Sequence, residues 1–92
     1  MNRQEILNDL ENLASDLSIS VIYDRISGEG GYCFLNDKHY IIINNSLSTD
    51  RKIEILIEGI SSFPLDNIYI KPRLRTIIKS GTLPQLKGRA SS

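Results

Sequence analysis

The sequence predicts an α+β fold, with an N-terminal helix, an antiparallel meander of about three strands, and two further helices that cover one sheet face. Apolar residues at spacings of three and four mark three helical segments. Three short β-branched or aromatic runs lie between the first two helices, and Gly, Asn and Asp residues separate these runs. At 92 residues the chain has room for one domain. We predict that domain over residues 1–81, with residues 82–92 as a flexible tail because they show no periodicity.

The first helix is predicted over residues 2–17. Its apolar residues form one stripe of a 3.6-residue repeat, and its acidic residues point away from that stripe. The stripe consists of Ile6, Leu7, Leu10, Leu13, Ala14 and Leu17. Residues 19–23 follow as the first strand, because this run is β-branched and partly alternates apolar with polar side chains.

Two more strands are predicted as a hairpin over residues 32–35 and 39–43. The intervening Asn36, Asp37 and Lys38 are turn-forming residues, and they leave three pairing registers open. The run from position 40 to 43 does not alternate, which predicts a strand covered on both faces. The stretch 27–31, Ser-Gly-Glu-Gly-Gly, precedes a strand and not a helix, so we interpret it as a turn or bulge that reverses the chain, not as a phosphate loop.

The second helix begins after Ser48, whose side chain can cap it. Its inward stripe is predicted to be Ile53, Leu56, Ile57 and Ile60, which leaves Glu58 solvated and places Ile55 on the polar face as a candidate contact for a partner. Gly59 is interpreted as a point of close packing against another element. The third helix begins at Pro72, turns Leu74, Ile77 and Ile78 inward, and ends at Gly81.

Charge is distributed unevenly although the total is zero. Residues 1–66 hold 11 acidic and five basic side chains, a net of −6, whereas residues 67–92 hold six basic and no acidic ones. The single cysteine cannot form an internal disulfide, no apolar run approaches a membrane span, and the first residues do not resemble a signal peptide. We therefore expect a cytoplasmic protein with no membrane partner.

The stretch IIINNSLSTDRKIEILIEGIS resembles the strand-hairpin-helix part of ImmA/IrrE-type metallopeptidase domains, over about residues 19–63. In that family the helix carries His-Glu-x-x-His. Laid on this motif, Glu58 takes the position of the catalytic glutamate, while Ile57 and Ser61 take those of the two zinc-binding histidines. The resemblance implies a metallopeptidase-like domain that has lost its zinc ligands, since Ile57 cannot bind a metal. We expect no catalytic residue, no metal and no cofactor.

Cys33 and His39 are a second candidate for chemistry, as a thiol–imidazole pair. Of the three hairpin registers, only the middle one places both on one face, as diagonal neighbours. A lone cysteine between aromatic residues is more often a small buried apolar residue, which is the interpretation we favour.

Lys71, Arg75 and Lys79 lie four residues apart and therefore line one side of the predicted last helix. Two functions follow from these features. The favoured one is a small, non-catalytic protein-interaction module that binds a partner or a second copy of itself as a homodimer. The alternative is a nucleic-acid or phosphate-binding module that uses the basic helix and tail.

Overall fold

The described residues form three helices and a three-stranded sheet, which confirms the α+β class. The computed structural model describes residues 2–81. In chain order the elements are α1 (Arg3–Asp16), β1 (Ile19–Asp24), β2 (Gly30–Leu35), β3 (Lys38–Asn44), α2 (Thr49–Ser61) and α3 (Pro72–Ser80).

The sheet is mixed, so the predicted antiparallel meander is wrong. Its strand order is β1-β3-β2: β2 and β3 form the expected antiparallel hairpin, but β1 pairs with β3 in parallel and does not neighbour β2. Residues 25–29 connect the two outer strands. Five extended residues reach about 16 Å, which suffices to pass the end of the central strand, since strands lie about 4.8 Å apart.

Asn44, the last residue of β3, holds this connection in place. Its side-chain amide donates hydrogen bonds to the backbone carbonyls of Ile26, at 3.1 Å, and Gly28, at 2.8 Å. Its side-chain oxygen accepts hydrogen bonds from the backbone N–H and the hydroxyl of Ser46. One asparagine thus fixes both the connection before β2 and the turn that leads to α2.

The β2–β3 hairpin closes through Asn36 and Asp37, whose φ angles are 51° and 64°. Two successive left-handed residues are typical of a type I′ turn, whose twist matches that of the flanking strands. This turn selects one of the three registers, in which Cys33 lies opposite Tyr40 and Phe34 opposite His39.

All three helices lie on one side of the sheet. α1 packs on β1 and α2 packs on β2 and β3, while among the described elements α3 contacts only α1 and α2. The prediction that the last two helices cover the sheet is therefore wrong for α3, because α1 takes its place. The cause is the parallel β1, which brings the end of α1 over the sheet beside α2.

Isoleucine and leucine fill the interior between the helices and the sheet. The predicted stripe of α3 is buried, as is that of α1 except for Leu17, which is partly buried, and Ile41 and Ile43 of β3 are buried as well. Gly59 lies where α2 crosses β3, and a Cβ atom there would come within 2.7 Å of the Cδ1 atom of Ile41. The interpretation of Gly59 as a close-packing position is confirmed.

Helix ends follow the sequence signals. Asn2 and Glu5 form a reciprocal capping box at the start of α1, and the Ser48 side chain accepts a hydrogen bond from the backbone N–H of Arg51. Pro72 opens α3, and Gly81 ends it with a φ of 75°. Residues 82–92, predicted as a tail, lie outside the described residues.

Candidate functional site

The face of the sheet that points away from the helices carries apolar side chains that no described element covers. We call it the open face. Side chains alternate along a strand, so residues that share a face with Ile42 are identified from the pairing of the strands. In the middle of the face they are Ser20, Ile22, Gly31, Cys33, Tyr40 and Ile42, with Asp24 and Asn44 at one end and Lys38 and Leu35 at the other.

Exposure agrees with this assignment. Ile22 is 39% exposed and Leu35 is 56% exposed, and Cys33, Tyr40 and Ile42 are half-buried. On the opposite face Ile41 and Ile43 are fully buried under the helices. The predicted cover on both faces of β3 is therefore absent from the described residues, although the strand has the apolar composition of a doubly covered one.

Cys33 and His39 lie on opposite faces of the sheet, which rules out the thiol–imidazole pair. The hairpin register places Cys33 on the open face and His39 on the helix side. There a hydrogen bond joins Nδ1 of His39 to Oη of Tyr32 at 2.6 Å, and the rings of Phe34 and Phe63 each lie 4.8 Å from the imidazole. His39 therefore belongs to an aromatic cluster at the hairpin end of the sheet.

The positions that correspond to the zinc-binding helix line a shallow cleft. Ile57, Glu58 and Ser61 border it together with Arg51, Glu54 and Gly81. Ile57 is buried, and Glu58 is exposed as predicted. Among residues 2–81 no group of three His, Cys, Asp or Glu side chains is arranged to hold a metal ion.

Arg51 organises the rim of this cleft. Its guanidinium donates two hydrogen bonds to the carboxylate of Glu29, at 2.6 and 2.8 Å, and one to Glu54 at 2.8 Å. The pKa of Glu29 is lowered, chiefly by its hydrogen bonds from Arg51, and the same bonds raise the pKa of Arg51. Arg51 therefore ties the connection before β2 to α2 and is already occupied by protein carboxylates.

Ile55 is buried, at 3% exposure, so the prediction that it lies on the polar face as a partner contact is wrong. The reason is that α2 lies between two layers: it packs on β2 and β3 on one side and on α1 and α3 on the other. A single apolar stripe cannot cover both contacts, and Ile55 lies one turn before Gly59, on the side of α2 that faces the sheet.

The three basic residues predicted along α3 are all exposed. The Lys71 ammonium lies 3.3 Å from the carboxylate of Asp9 on α1, so one residue of the basic C-terminal part pairs with the acidic N-terminal part. Within residues 2–81, Arg75 and Lys79 form no ion pair with an acid.

Comparison with known proteins gives no match: no family model, no curated protein and no solved structure resembles this chain at a significant level. Between residues 2 and 81 no helix is both long and apolar enough to cross a membrane.

Sequence reasoning missed the open face as a site. The signal in the sequence is the non-alternating run at positions 40 to 43, but such a run predicts a strand covered on both faces and not an open one. The role of Asn44 was also missed. An asparagine directly after a β-branched strand is a general turn signal, and it does not reveal which carbonyls it will bind.

Proposed function

We propose that this protein is a non-catalytic protein-interaction module that associates with a second copy of itself through the open face. The observation that carries the proposal is the apolar row formed by Ile22 and Ile42 on neighbouring strands, with Tyr40, Cys33 and Leu35 beside it. A sheet with antiparallel strands can leave one face exposed to water, but the side chains on that face are usually polar.

A second copy fits this face better than an unrelated partner because the two ends of the face carry opposite charges. Asp24 stands at one end and Lys38 at the other, with apolar side chains between them. A second copy placed in the reverse direction presents the opposite charge at each end. A small domain with a modest core also gains stability from further apolar burial.

The size of the face sets the expected affinity. Three strands about 4.8 Å apart and six residues long cover roughly 300 Å² per copy. Stable interfaces bury about 800 Å² per partner, so we expect a weak, reversible dimer with a dissociation constant on the order of tens of micromolar.

The same proposal treats α2 as a metallopeptidase-like helix without zinc ligands. Its support is the element order of hairpin and helix, together with the cleft that Ile57, Glu58 and Ser61 border. We also place the protein in the cytoplasm, where a single unpaired cysteine stays reduced.

Sedimentation equilibrium of the purified protein tests the function. We expect the wild type to dimerise, and Ile42→Lys to weaken the dimer at least tenfold because it places a charge in the middle of the apolar row. Tyr69→Lys is the matched control: Tyr69 is 80% exposed and lies beside α1 and α3, on the helix side. A wild type that stays monomeric at millimolar concentration would contradict the proposal.

The alternative function has one observation in its favour, the exposed Arg75 and Lys79 without an acidic partner among residues 2–81. Salt-sensitive binding of a labelled DNA or RNA that is lost in Arg75→Ala/Lys79→Ala would favour the nucleic-acid module. If the anisotropy of the labelled nucleic acid does not change when the protein is added at low salt, the alternative is contradicted and only the interaction module remains.

A further inference from the structure

Opposite charges mark the two ends of the open face. Asp24 is the last residue of β1 and lies beside Asn44, the last residue of β3. Lys38 is the first residue of β3, at the other end of the sheet. Both side chains are exposed, and both share the face of Ile42. Six residues of strand separate the two ends by about 20 Å.

We infer that two copies pack open face against open face with their strands running in opposite directions, so that Asp24 of each copy lies beside Lys38 of the partner subunit. This inference rests on the proposed function and specifies its geometry. Two sheets packed face to face keep their strands within about 30° of one another, about 10 Å apart. A two-fold axis in the interface can then run either along the strands or across them.

The charges decide between these two axes. An axis along the strands places Lys38 over Lys38 of the partner subunit, and Asp24 also lies at the same end of the sheet as Asp24 of the partner subunit. The contact between the two lysines is repulsive. An axis across the strands reverses one copy, so each end of the interface receives one acid and one base. Because the interface is isologous, the favourable pair occurs twice.

The apolar centre is compatible with the reversed arrangement. The midpoint between Lys38 and Asn44 is Ile41, so an axis across the strands passes beneath that residue. Tyr40 and Ile42 lie one position on either side of it. Tyr40 therefore packs on Ile42 of the partner subunit, and Ile42 packs on Tyr40 of the partner subunit. On the outer strand Cys33 meets Gly31 of the partner subunit, which leaves room for the thiol.

The carboxylate of Asp24 is held in place for this contact. It accepts a hydrogen bond from the backbone N–H of Arg25 at 2.7 Å. Arg25 follows Asp24 and Asp37 precedes Lys38, so neither end has a net charge. The proposed ion pairs therefore depend on the strand positions of Asp24 and Lys38. A test of the geometry must therefore change Asp24 and Lys38 themselves.

Charge reversal tests the inference. Asp24→Lys places lysine against lysine at both ends of the interface, and Lys38→Asp places aspartate against aspartate. We expect each single variant to raise the dissociation constant about tenfold in low-salt sedimentation. The double variant Asp24→Lys/Lys38→Asp restores opposite charges, and we expect its dissociation constant within about threefold of the wild type.

Glu58→Lys and Arg73→Asp are the matched controls, because they make the same charge changes at exposed positions on α2 and α3. We expect both to dimerise like the wild type, and circular dichroism to show that all variants are folded. The inference is overturned if the single variants dimerise normally or if the double variant stays as weak as the singles. If the wild type dimerises and Ile42→Lys does not, either of these results overturns the geometry and leaves the proposed function standing. A monomeric wild type overturns both the geometry and the proposed function.

Discussion

Asp37 adopts a left-handed backbone conformation that glycine adopts without strain. Its φ is 64°, and it is the second residue of the type I′ turn between β2 and β3. Asn-Gly is the preferred pair in such a turn, and this chain has Asn-Asp. The hairpin therefore carries backbone strain at Asp37, the position of the turn where glycine is preferred.

Asp37→Gly is expected to stabilise the protein by about 0.5 kcal/mol, because relief of the left-handed strain exceeds the entropy that glycine adds to the unfolded chain. Urea denaturation measures the difference. Asp66→Gly is the control, since Asp66 is exposed and has no positive φ, and we expect it to be neutral or destabilising. A destabilised Asp37→Gly variant would show that the Asp37 side chain stabilises the folded state by more than its left-handed backbone conformation destabilises it.

Gly59 offers a second test at a single residue. Gly59→Ala gains about 1 kcal/mol of helix propensity but inserts a methyl group within 2.7 Å of Ile41, in a core where overpacking costs about 1–3 kcal/mol. We expect a net destabilisation of about 1 kcal/mol.

Ile41→Val removes the contacting Cδ1 atom and alone costs about 1 kcal/mol. The double variant Gly59→Ala/Ile41→Val should therefore be more stable than the sum of the singles by about 1 kcal/mol, in a double-mutant cycle measured by denaturation. Glu58→Ala, on the exposed side of the same helix, gives the propensity gain without the contact. Strict additivity of the two singles would rule out the steric explanation.

Sequence patterns predicted the residues of this helix unevenly, for a physical reason. A helical repeat identifies the apolar positions of α2, but it cannot say how many neighbours the helix has. A helix with one buried side would expose Ile55 to solvent, but α2 is buried on two sides and Ile55 is covered. Gly59 was understood because a glycine inside a helix has few explanations apart from close approach.

At the scale of elements, one hydrogen bond joins α1 to β1. The Tyr23 hydroxyl donates to the carboxylate of Glu11. Burial and this hydrogen bond both raise the pKa of Tyr23 above its ordinary value. The phenol therefore remains protonated in the folded chain at a pH where the unfolded chain loses its proton.

Tyr23→Phe is expected to destabilise the protein by about 1 kcal/mol at pH 7, the usual contribution of a half-buried hydrogen bond. The raised pKa contributes stability that is complete below about pH 10 and is lost as the pH rises further, because only the unfolded state then releases the proton. Since Tyr23 is half-buried, the loss is at most about 1 kcal/mol per pH unit.

Chemical denaturation at pH 9, 10 and 11 measures this effect. The difference between wild type and Tyr23→Phe should shrink as the pH rises above 10. Tyr69→Phe, at a largely exposed position, should follow the wild type throughout. Parallel curves for wild type and Tyr23→Phe would mean that Tyr23 titrates normally.

Strand identity and strand order differ in how well the sequence specifies them. Runs of β-branched or aromatic residues located all three strands, because local composition determines them. Pairing is not local: β1 can neighbour either β2 or β3, and a five-residue connection permits both. In the observed order Asn44 binds the carbonyls of Ile26 and Gly28, a contact that the one-dimensional pattern does not contain.

At the scale of the whole molecule, association and stability are linked. If the open face is covered in a dimer, the folded state is favoured by mass action as concentration rises. We expect Tm to increase by about 5 °C when the protein concentration is raised from well below to well above the dissociation constant. Differential scanning calorimetry measures this shift.

Ile42→Lys should have a Tm that does not depend on concentration, and Tyr69→Lys should behave like the wild type. A wild-type Tm that is constant over a hundredfold range of concentration would contradict association through any surface. The sequence could not predict this surface, because an apolar strand covered by its own chain and one covered by a second copy have the same composition.

The central position of β3 also has a consequence for folding during synthesis. β1 and β2 do not pair with each other, so the first 37 residues contain no pair of neighbouring strands. During synthesis, the strand on which both others depend emerges last. We expect a fragment of residues 1–37 to show no protected strand amides in hydrogen exchange, and the sheet to form in one step once residue 44 has left the ribosome.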